Sequence, residues 1–309
     1  MTAWTPTAQA PVRGVLDQAA AENFPVAPAF LPAAGRAALL AVYGYARLVD
    51  DIGDGDLAPG GADARLFGVP PEHAEDRPAL LDAAEADVHR LLDAARWPGA
   101  PGPRHPLVRA LLPAVRAHAL TAEPFLALIE AGRLDQHRHT YTTWEELLGY
   151  CALSAHPVGR LVLAVTGTAS PERVRRSDAV CTALQVVEHL QDVAEDRARG
   201  RVYLPAEDLA RFGVREADLD APVTCAALRS VVACLAERSF ALLDEGTGLV
   251  ASVPGRLRLL LAGYAGGGRA ALRALAAARY DVLAGPPTAA RPAVLRETAA
   301  VLMAARRVR

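Results

Sequence analysis

An all-α fold is what this sequence predicts, and three observations predict it. Apolar residues recur at helical spacing through most of the 309-residue chain, and no segment alternates with period two for long enough to build a sheet. Ala, Leu and Arg dominate while aromatics make up only 5%, a balance that favours helix over strand. Cap signals stand where helices should begin. Ser170-Pro171-Glu172 sets Ser at the cap and Pro in the first turn, and Thr143 with Glu146 has capping-box spacing.

Gly/Pro-rich stretches at 55 to 71, 98 to 106 and 285 to 292 read as loops and divide the helical pattern. In chain order the spacing predicts helices over 34–54, 74–95, 106–118, 122–139, 143–166, 171–198, 223–246, 255–284 and 291–306. No repeat of fixed period and no shift in composition marks a domain boundary.

Two of these helices end in acidic clusters of the same form, Asp50-Asp51-Ile52-Gly53-Asp54 and Asp192-Val193-Ala194-Glu195-Asp196, about 140 residues apart. On the first helix Tyr43, Arg47, Asp50 and Asp54 step by four, three and four, which is one stripe, with Leu39, Leu40, Val42 and Ala46 around it. Asp51 points about 100° off that stripe and ranks below its neighbours. On the second, Gln185, Glu188, Asp192 and Asp196 step by three, four and four among Leu184, Val186, Val187 and Leu190. Carboxylates one turn apart lie about 6 Å apart along the axis, close enough to share hard divalent cations that take oxygen ligands and bridge to phosphate. On an open surface the same residues would be an ordinary solvated patch.

Beyond the second cluster, Arg197-Ala-Arg-Gly-Arg201-Val-Tyr203-Leu-Pro205 places cations and a phenol at a helix C-terminus. They complement the helix dipole, and Arg201 and Tyr203 can also fold back to grip phosphate oxygens, for which the guanidinium fork is well shaped. Between the clusters lies Tyr150-Cys-Ala-Leu-Ser-Ala-His156-Pro157-Val-Gly159-Arg160. Pro157 removes a helical hydrogen bond, so a kink is expected around Ala155 and His156, and Gly159 lets backbone approach whatever lies beside it. A plain packing kink is the competing reading.

Composition excludes several function classes. The 33 basic residues are all arginine, yet net charge is −2, which argues against a nucleic-acid-coating protein. Cys151, Cys181, Cys225 and Cys234 show no CxxC spacing and read as reduced core residues. The N-terminus has neither a basic start nor an apolar signal core, and no run reaches the roughly 18 apolar residues of a spanning helix, so a cytoplasmic location is expected. The last helix carries Arg291, Arg296, Arg306, Arg307 and Arg309 among apolar residues, which suits either contact with an anionic membrane surface or ordinary packing. A di-iron bundle needs Glu-x-x-His pairs, whereas Glu188 and His189 are adjacent. His137 and His139 are isolated, and no Ser/His/Asp set stands out.

These blocks resemble the trans-isoprenyl diphosphate synthases of the squalene and phytoene synthase type. The likeness is carried by Tyr43 through Asp54, Tyr150 through Gly159, and Gln185 through Pro205. Within that family the chain is most similar to the bacterial hydroxysqualene synthases of the hopanoid pathway, through Glu22-Asn-Phe-Pro-Val-Ala27, Ser154 through Leu163, Gln191 through Asp196 and Gly200 through Pro205. The resemblance implies one helical isoprenoid synthase domain over residues 1–309 with a central active-site cavity, residues 1–12 forming a flexible N-terminus. It implies two or three Mg²⁺ ions on Asp50, Asp54, Asp192 and Asp196, with Glu188 as an added ligand, since this position usually holds Asn. Tyr43, Arg47, Arg201, Tyr203 and Gly159 would meet the substrate. Tyr43, Arg47, Tyr150, His156, Gln185 and Tyr203 would serve the chemistry, with His156 or Tyr150 orienting a water.

The substrate so implied is an isoprenoid diphosphate, presqualene diphosphate in the narrower reading, opened to hydroxysqualene by water capture. Formation of squalene would instead need hydride from NADPH. The Gly263-Tyr-Ala-Gly-Gly-Gly268 run is not a dinucleotide fingerprint, so no NADPH is expected. A squalene or phytoene synthase is the runner-up, and a non-catalytic helical scaffold of the family a third reading. Position 191 is Gln where phytoene synthases tend to have Arg, and His156 replaces Asn or Gly. The loop from Gly55 to Pro71 is either a lid over the diphosphate or a surface excursion. Oligomeric state is not legible.

Overall fold

The computed structural model describes residues 26–307. The expectation of a flexible stretch at 1–12, and the Glu22–Pro25 part of the Glu22–Ala27 block, lie outside the described residues. Among the described residues the architecture is all helical, and the one β feature is an isolated bridge between Thr140 and Val202. The chain divides after Gln136 into two compact units.

The first unit holds α1 (Ala33–Asp54), α2 (Ala62–Phe67), a 3-10 turn (Pro71–His73), α3 (Arg77–Arg96), α4 (Pro106–Arg109), α5 (Leu112–His118) and α6 (Glu123–Asp135). Helix α1 buries Leu39, Val42, Tyr45, Leu48, Val49 and Ile52 against α3, α4 and α6. Burying such side chains is worth about 1.5–3 kcal/mol each. Tyr45 meets Phe125 edge-on at 5.3 Å and donates its hydroxyl to the Phe125 carbonyl at 2.9 Å. Gly55 stops α1 directly after Asp54: at φ 76° its N–H closes onto Ile52, a conformation that a Cβ would strain. The Gln136 amide nitrogen donates to the carbonyls of Gly53 and Gly132, at 2.9 and 2.8 Å, and so ties the end of α1 to α6.

Two expectations change here. The 55–71 stretch is not all loop. It contains α2, whose Phe67 is 2% exposed and stacks on His105 at 4.6 Å. The Asp63 carboxylate meets His105 Nε2 at 3.1 Å, and Arg104 donates to the Phe67 carbonyl. The apolar period of six residues is too short to stand out among so many glycines. The predicted 106–118 helix is two helices, because Pro113 lacks the N–H that would continue the ladder.

The second unit holds α7 (Trp144–Ser154), α8 (His156–Val165), α9 (Pro171–Gln191), α10 (Val193–Ala198), α11 (Ala206–Phe212), α12 (Glu216–Leu219), α13 (Ala226–Ser252), α14 (Leu257–Ala277) and α15 (Arg291–Arg307). Helix α9 packs along α13, and α14 lies against both α13 and α15. Ser170 caps α9 by accepting from Arg173 N. Thr143 caps α7 by accepting from Glu146 N, while Glu146 reaches back to Thr142 N rather than to the cap residue itself. The 143–166 helix breaks at Ala155, where Pro157 denies the ladder a donor, as the kink reading required. The stretch Trp144–Val165 is long and apolar enough to cross a membrane by length and composition, contrary to the reading that no run was. Here it is two helices that bury Leu147, Tyr150, Cys151, Leu161 and Leu163.

The 171–198 helix also breaks, at Asp192, whose backbone sits at φ −102°, ψ 17°. The Asp192 N–H still reaches the Glu188 carbonyl and the Asp196 N–H the Asp192 carbonyl, so the four-residue spacing survives the break. Helices α11 and α12 were not expected. Asp208 of α11, 2% exposed, is forked by Arg238 of α13 at 2.9 and 3.0 Å. The 255–284 helix ends at Ala277, and Arg279 and Tyr280 follow in the left-handed region.

Candidate active site

The first acidic set stands at the C-terminal end of α1. The Arg47 guanidinium spans two carboxylates, reaching Asp50 at 3.2 Å and Asp51 at 2.8 Å. Asp51 is therefore better engaged than its position off the stripe suggested, an i,i+4 partner that spacing alone offers. Crowding by surrounding protein and then the Asp54 charge push the Asp50 carboxyl up to about 7, with Arg47 opposing. Its side chain keeps 58% of its surface open, so the like-charge cause is the firmer of the two. Burial raises Asp51 as well, again against Arg47. Tyr43 and Asp54 are half-buried on the same helix.

The second set is built from α9, α10 and the turn that follows. Burial, then Asp196, then Glu195 push the Asp192 carboxyl up to about 6. The chain reverses over Arg197 to Gly200, and Arg201 N donates back to the Asp196 carbonyl at 2.8 Å. Arg197 itself is taken by Asp220 and Glu216 of the neighbouring turn. The reversal carries Arg201, 9% exposed, and Tyr203, 5% exposed, beside the acid motif, with the Arg201 guanidinium donating to the Tyr203 hydroxyl at 3.4 Å. His189, Asp196, Arg201 and Tyr203 line a cavity of about 10 Å³, room for one water.

Two residues of this region escaped sequence reasoning. His189 lies flat against Tyr203, and its Nδ1 is 3.7 Å from the Asp196 carboxylate. Tyr141 stacks on Tyr203 at 5.6 Å and meets Tyr150 at a tilt at 5.5 Å, while Tyr150 lies 5.3 Å from Tyr203. The only signal for either was residue type within a few positions of a motif. Gln185 and His189, one turn apart, approach at 3.4 Å. Glu188 is exposed on α9.

The kink residues sit on the α8–α9 contact. His156 Nε2 lies 2.8 Å from the Thr182 hydroxyl, and Arg160 forks Asp178 at 3.2 and 2.9 Å. Burial holds His156 below the usual imidazole range, with Asp178 pulling the other way. A Cβ on Gly159 would stand 2.5 Å from Ser177 Oγ and 2.6 Å from Cys181 Sγ, so its bare face is filled by α9.

Among the described residues no three carboxylate, imidazole or thiol groups stand close enough to hold a metal ion as a formed ligand sphere. The donor chemistry nevertheless fits a hard cation. In each set one carboxyl, Asp50 or Asp192, is raised by burial first and then by the neighbouring Asp54 or Asp196 charge, and a divalent ion would offset that like-charge repulsion.

The profile of the squalene/phytoene synthase family matches residues 18–298. The chain belongs to that family. Its relatives among squalene/phytoene synthases include a hydroxysqualene synthase of Rhodopseudomonas palustris, 35% identical over 233 residues, covering 75% of this chain and 71% of the relative. A phytoene synthase of Mycobacterium bovis is 32% identical over 200 residues, 65% of this chain and 58% of that one. Among solved structures, the squalene synthase HpnC from Alicyclobacillus acidocaldarius is 40% identical, covers 87% of this chain and 95% of its own, and superposes with a TM-score of 0.71. Squalene/phytoene synthases are enzymes of isoprenoid diphosphates and are generally metal dependent.

Proposed function

We propose that this squalene/phytoene synthase is a hydroxysqualene synthase, converting presqualene diphosphate and water to hydroxysqualene and diphosphate within hopanoid biosynthesis. The observation that carries the reading is the pair of crowded carboxylate sets, Asp50 with Asp54 and Asp192 with Asp196, in which burial and then the neighbouring carboxylate raise Asp50 and Asp192. The narrower product rests on likeness to hydroxysqualene synthases at 31–35% identity.

In this reading Asp50, Asp54, Asp192 and Asp196, with Glu188, supply oxygen ligands for two or three Mg²⁺ ions. Mg²⁺ held there would offset the diphosphate charge and supply Lewis acidity to its oxygens. Arg47 and Arg201 would each donate to diphosphate oxygens, as would the Tyr43 and Tyr203 hydroxyls. The C–O bond breaks with its electron pair leaving on diphosphate. The rearranged carbocation is captured by the lone pair of one water, and that water's proton passes to solvent. The protein's part is to fix the charges beforehand and to hold other nucleophiles away. Apolar surface and the rings of Tyr150 and Tyr203 suit that task. Tyr150 or His156 orients the water, Gln185 supports the second acidic set, and the Gly159 backbone borders the substrate. No NADPH takes part, and the enzyme works in the cytoplasm.

Supplying farnesyl diphosphate, presqualene diphosphate and NADPH separately with Mg²⁺ and identifying products by mass tests the reading. An alcohol from presqualene diphosphate without NADPH is the expected result. Product only with NADPH makes the protein a squalene synthase. A phytoene-type hydrocarbon is the outcome that the Mycobacterium relative favours. No product from any combination returns the chain to a scaffold role, against which retention of all four motif aspartates argues.

A further inference from the structure

The outer face of α15 exposes large apolar side chains among arginines. Helix α15 buries Val301 and Ala305 and packs on α14, where the Thr298 backbone fills the place of a Gly266 side chain. On the opposite side Leu295 is 70% exposed and Met303 58% exposed, two of only five large apolar side chains so exposed among the described residues. At about 100° per residue Leu295 and Met303 fall within one arc with Arg306 between them, Arg291 at one margin, and Arg296 and Arg307 at the other. No acidic residue is among the exposed positions of the helix. Its one carboxylate, Glu297, is buried and shared between Arg273 at 3.0 Å and Arg296 at 3.3 Å.

We propose that this face is a docking surface for an anionic lipid bilayer. Leu295 and Met303 enter the boundary between headgroups and acyl chains. The arginines stay at headgroup level, where their long stems reach along apolar surface while the guanidinium groups meet phosphate. Charge complementarity selects this occupant. A second copy of the chain would set one cationic face against another, and a neutral surface would leave the arginines without counter-charge. Docking there brings the enzyme to the phase in which hydrophobic substrates and products reside, but it does not depend on which isoprenoid is turned over.

The test is co-sedimentation of the full chain with phosphatidylcholine vesicles and with mixed phosphatidylcholine and phosphatidylglycerol vesicles, at low and high salt. Binding is expected to the anionic vesicles only, to weaken with salt, and to fall about fivefold for each arginine removed in Arg291→Gln and Arg306→Gln. Leu295→Glu with Met303→Glu, both at exposed positions, should abolish it while leaving the circular dichroism spectrum unchanged. Equal binding to neutral and anionic vesicles overturns the proposal, and so does undiminished binding by the double glutamate variant. A dimer in lipid-free solution that Leu295→Glu dissociates assigns the face to self-association and overturns it as well. Because the readout is binding without turnover, its failure is separate from any failure of the proposed reaction.

Discussion

The imidazole of His189 lies flat on the phenol ring of Tyr203, with centroids 3.7 Å apart and planes 11° from parallel. The reversal after α10 brings the two rings together, and the stack sets both the Tyr203 hydroxyl beside Arg201 and the His189 edge beside Asp196. With the Gln185 amide nitrogen as donor, His189 Nε2 accepts and the ring proton sits on Nδ1, facing the Asp196 carboxylate.

His189→Phe keeps the ring contact and loses both polar ones, whereas His189→Ala loses everything. Thermal unfolding should show His189→Ala destabilised by more than the ~0.5–1.5 kcal/mol of a ring pair, with His189→Phe close to wild type. Both variants should need more Mg²⁺ for half-maximal turnover. An unaltered metal requirement in His189→Phe would show that the imidazole does not orient Asp196.

Asp50→Asn and Asp192→Asn each remove one donor from a set whose members repel. Turnover is expected to drop by about 10²–10³ in either variant, the usual cost of losing one preorganised electrostatic group. Melting temperature should stay level or rise, because like-charge crowding is relieved. Full activity in a variant carrying both Asp50→Ala and Asp192→Ala would be fatal to the proposed function.

Gly159→Ala forces a methyl group against Ser177 and Cys181. Overpacking of this kind costs about 1–3 kcal/mol, read as a lower unfolding midpoint in urea. Adding Ser177→Ala and Cys181→Ala should restore most of that loss. If stability returns and turnover does not, the Gly159 backbone has a role toward substrate besides packing.

His156 is a base whose pKa is lowered in the folded protein, by burial first and by Arg160 in addition, with Asp178 opposing. The folded state therefore binds this proton less well than the unfolded chain. Its contribution to stability is intact above the unfolded imidazole pKa, about 6.5, and is lost as pH falls through that value. Melting temperature measured against pH should fall more steeply below pH ~6.5 for wild type than for His156→Gln. Parallel curves would mean that the imidazole is not held neutral against Thr182.

Much of this molecule was legible before its structure. Helix class, the kink at Ala155 and the Ser170 and Thr143 caps were all readable, because each depends on residues within one or two turns. The grouping of Arg47 with the first acidic cluster was visible for the same reason. Helix α2 was not, since six residues among glycines leave too short a period, and it holds through Phe67 on His105, 38 positions away. The break at Asp192 was hidden because the four-residue hydrogen bonds continue through it while the dihedrals do not.

By itself the amino-acid order determined that the chain is helical and where acid stripes run, along α1 and across the α9–α10 junction. Those properties follow from the 3.6-residue turn and from hydrogen bonds between near neighbours. Tertiary packing decided that His189 rests on Tyr203, that Gly159 is covered by Ser177 and Cys181, and that α15 turns Leu295 and Met303 outward. Contacts of that kind join residues with no periodic relation. They are chosen by which side chains fill space densely once the helices have met, a selection that local spacing does not encode.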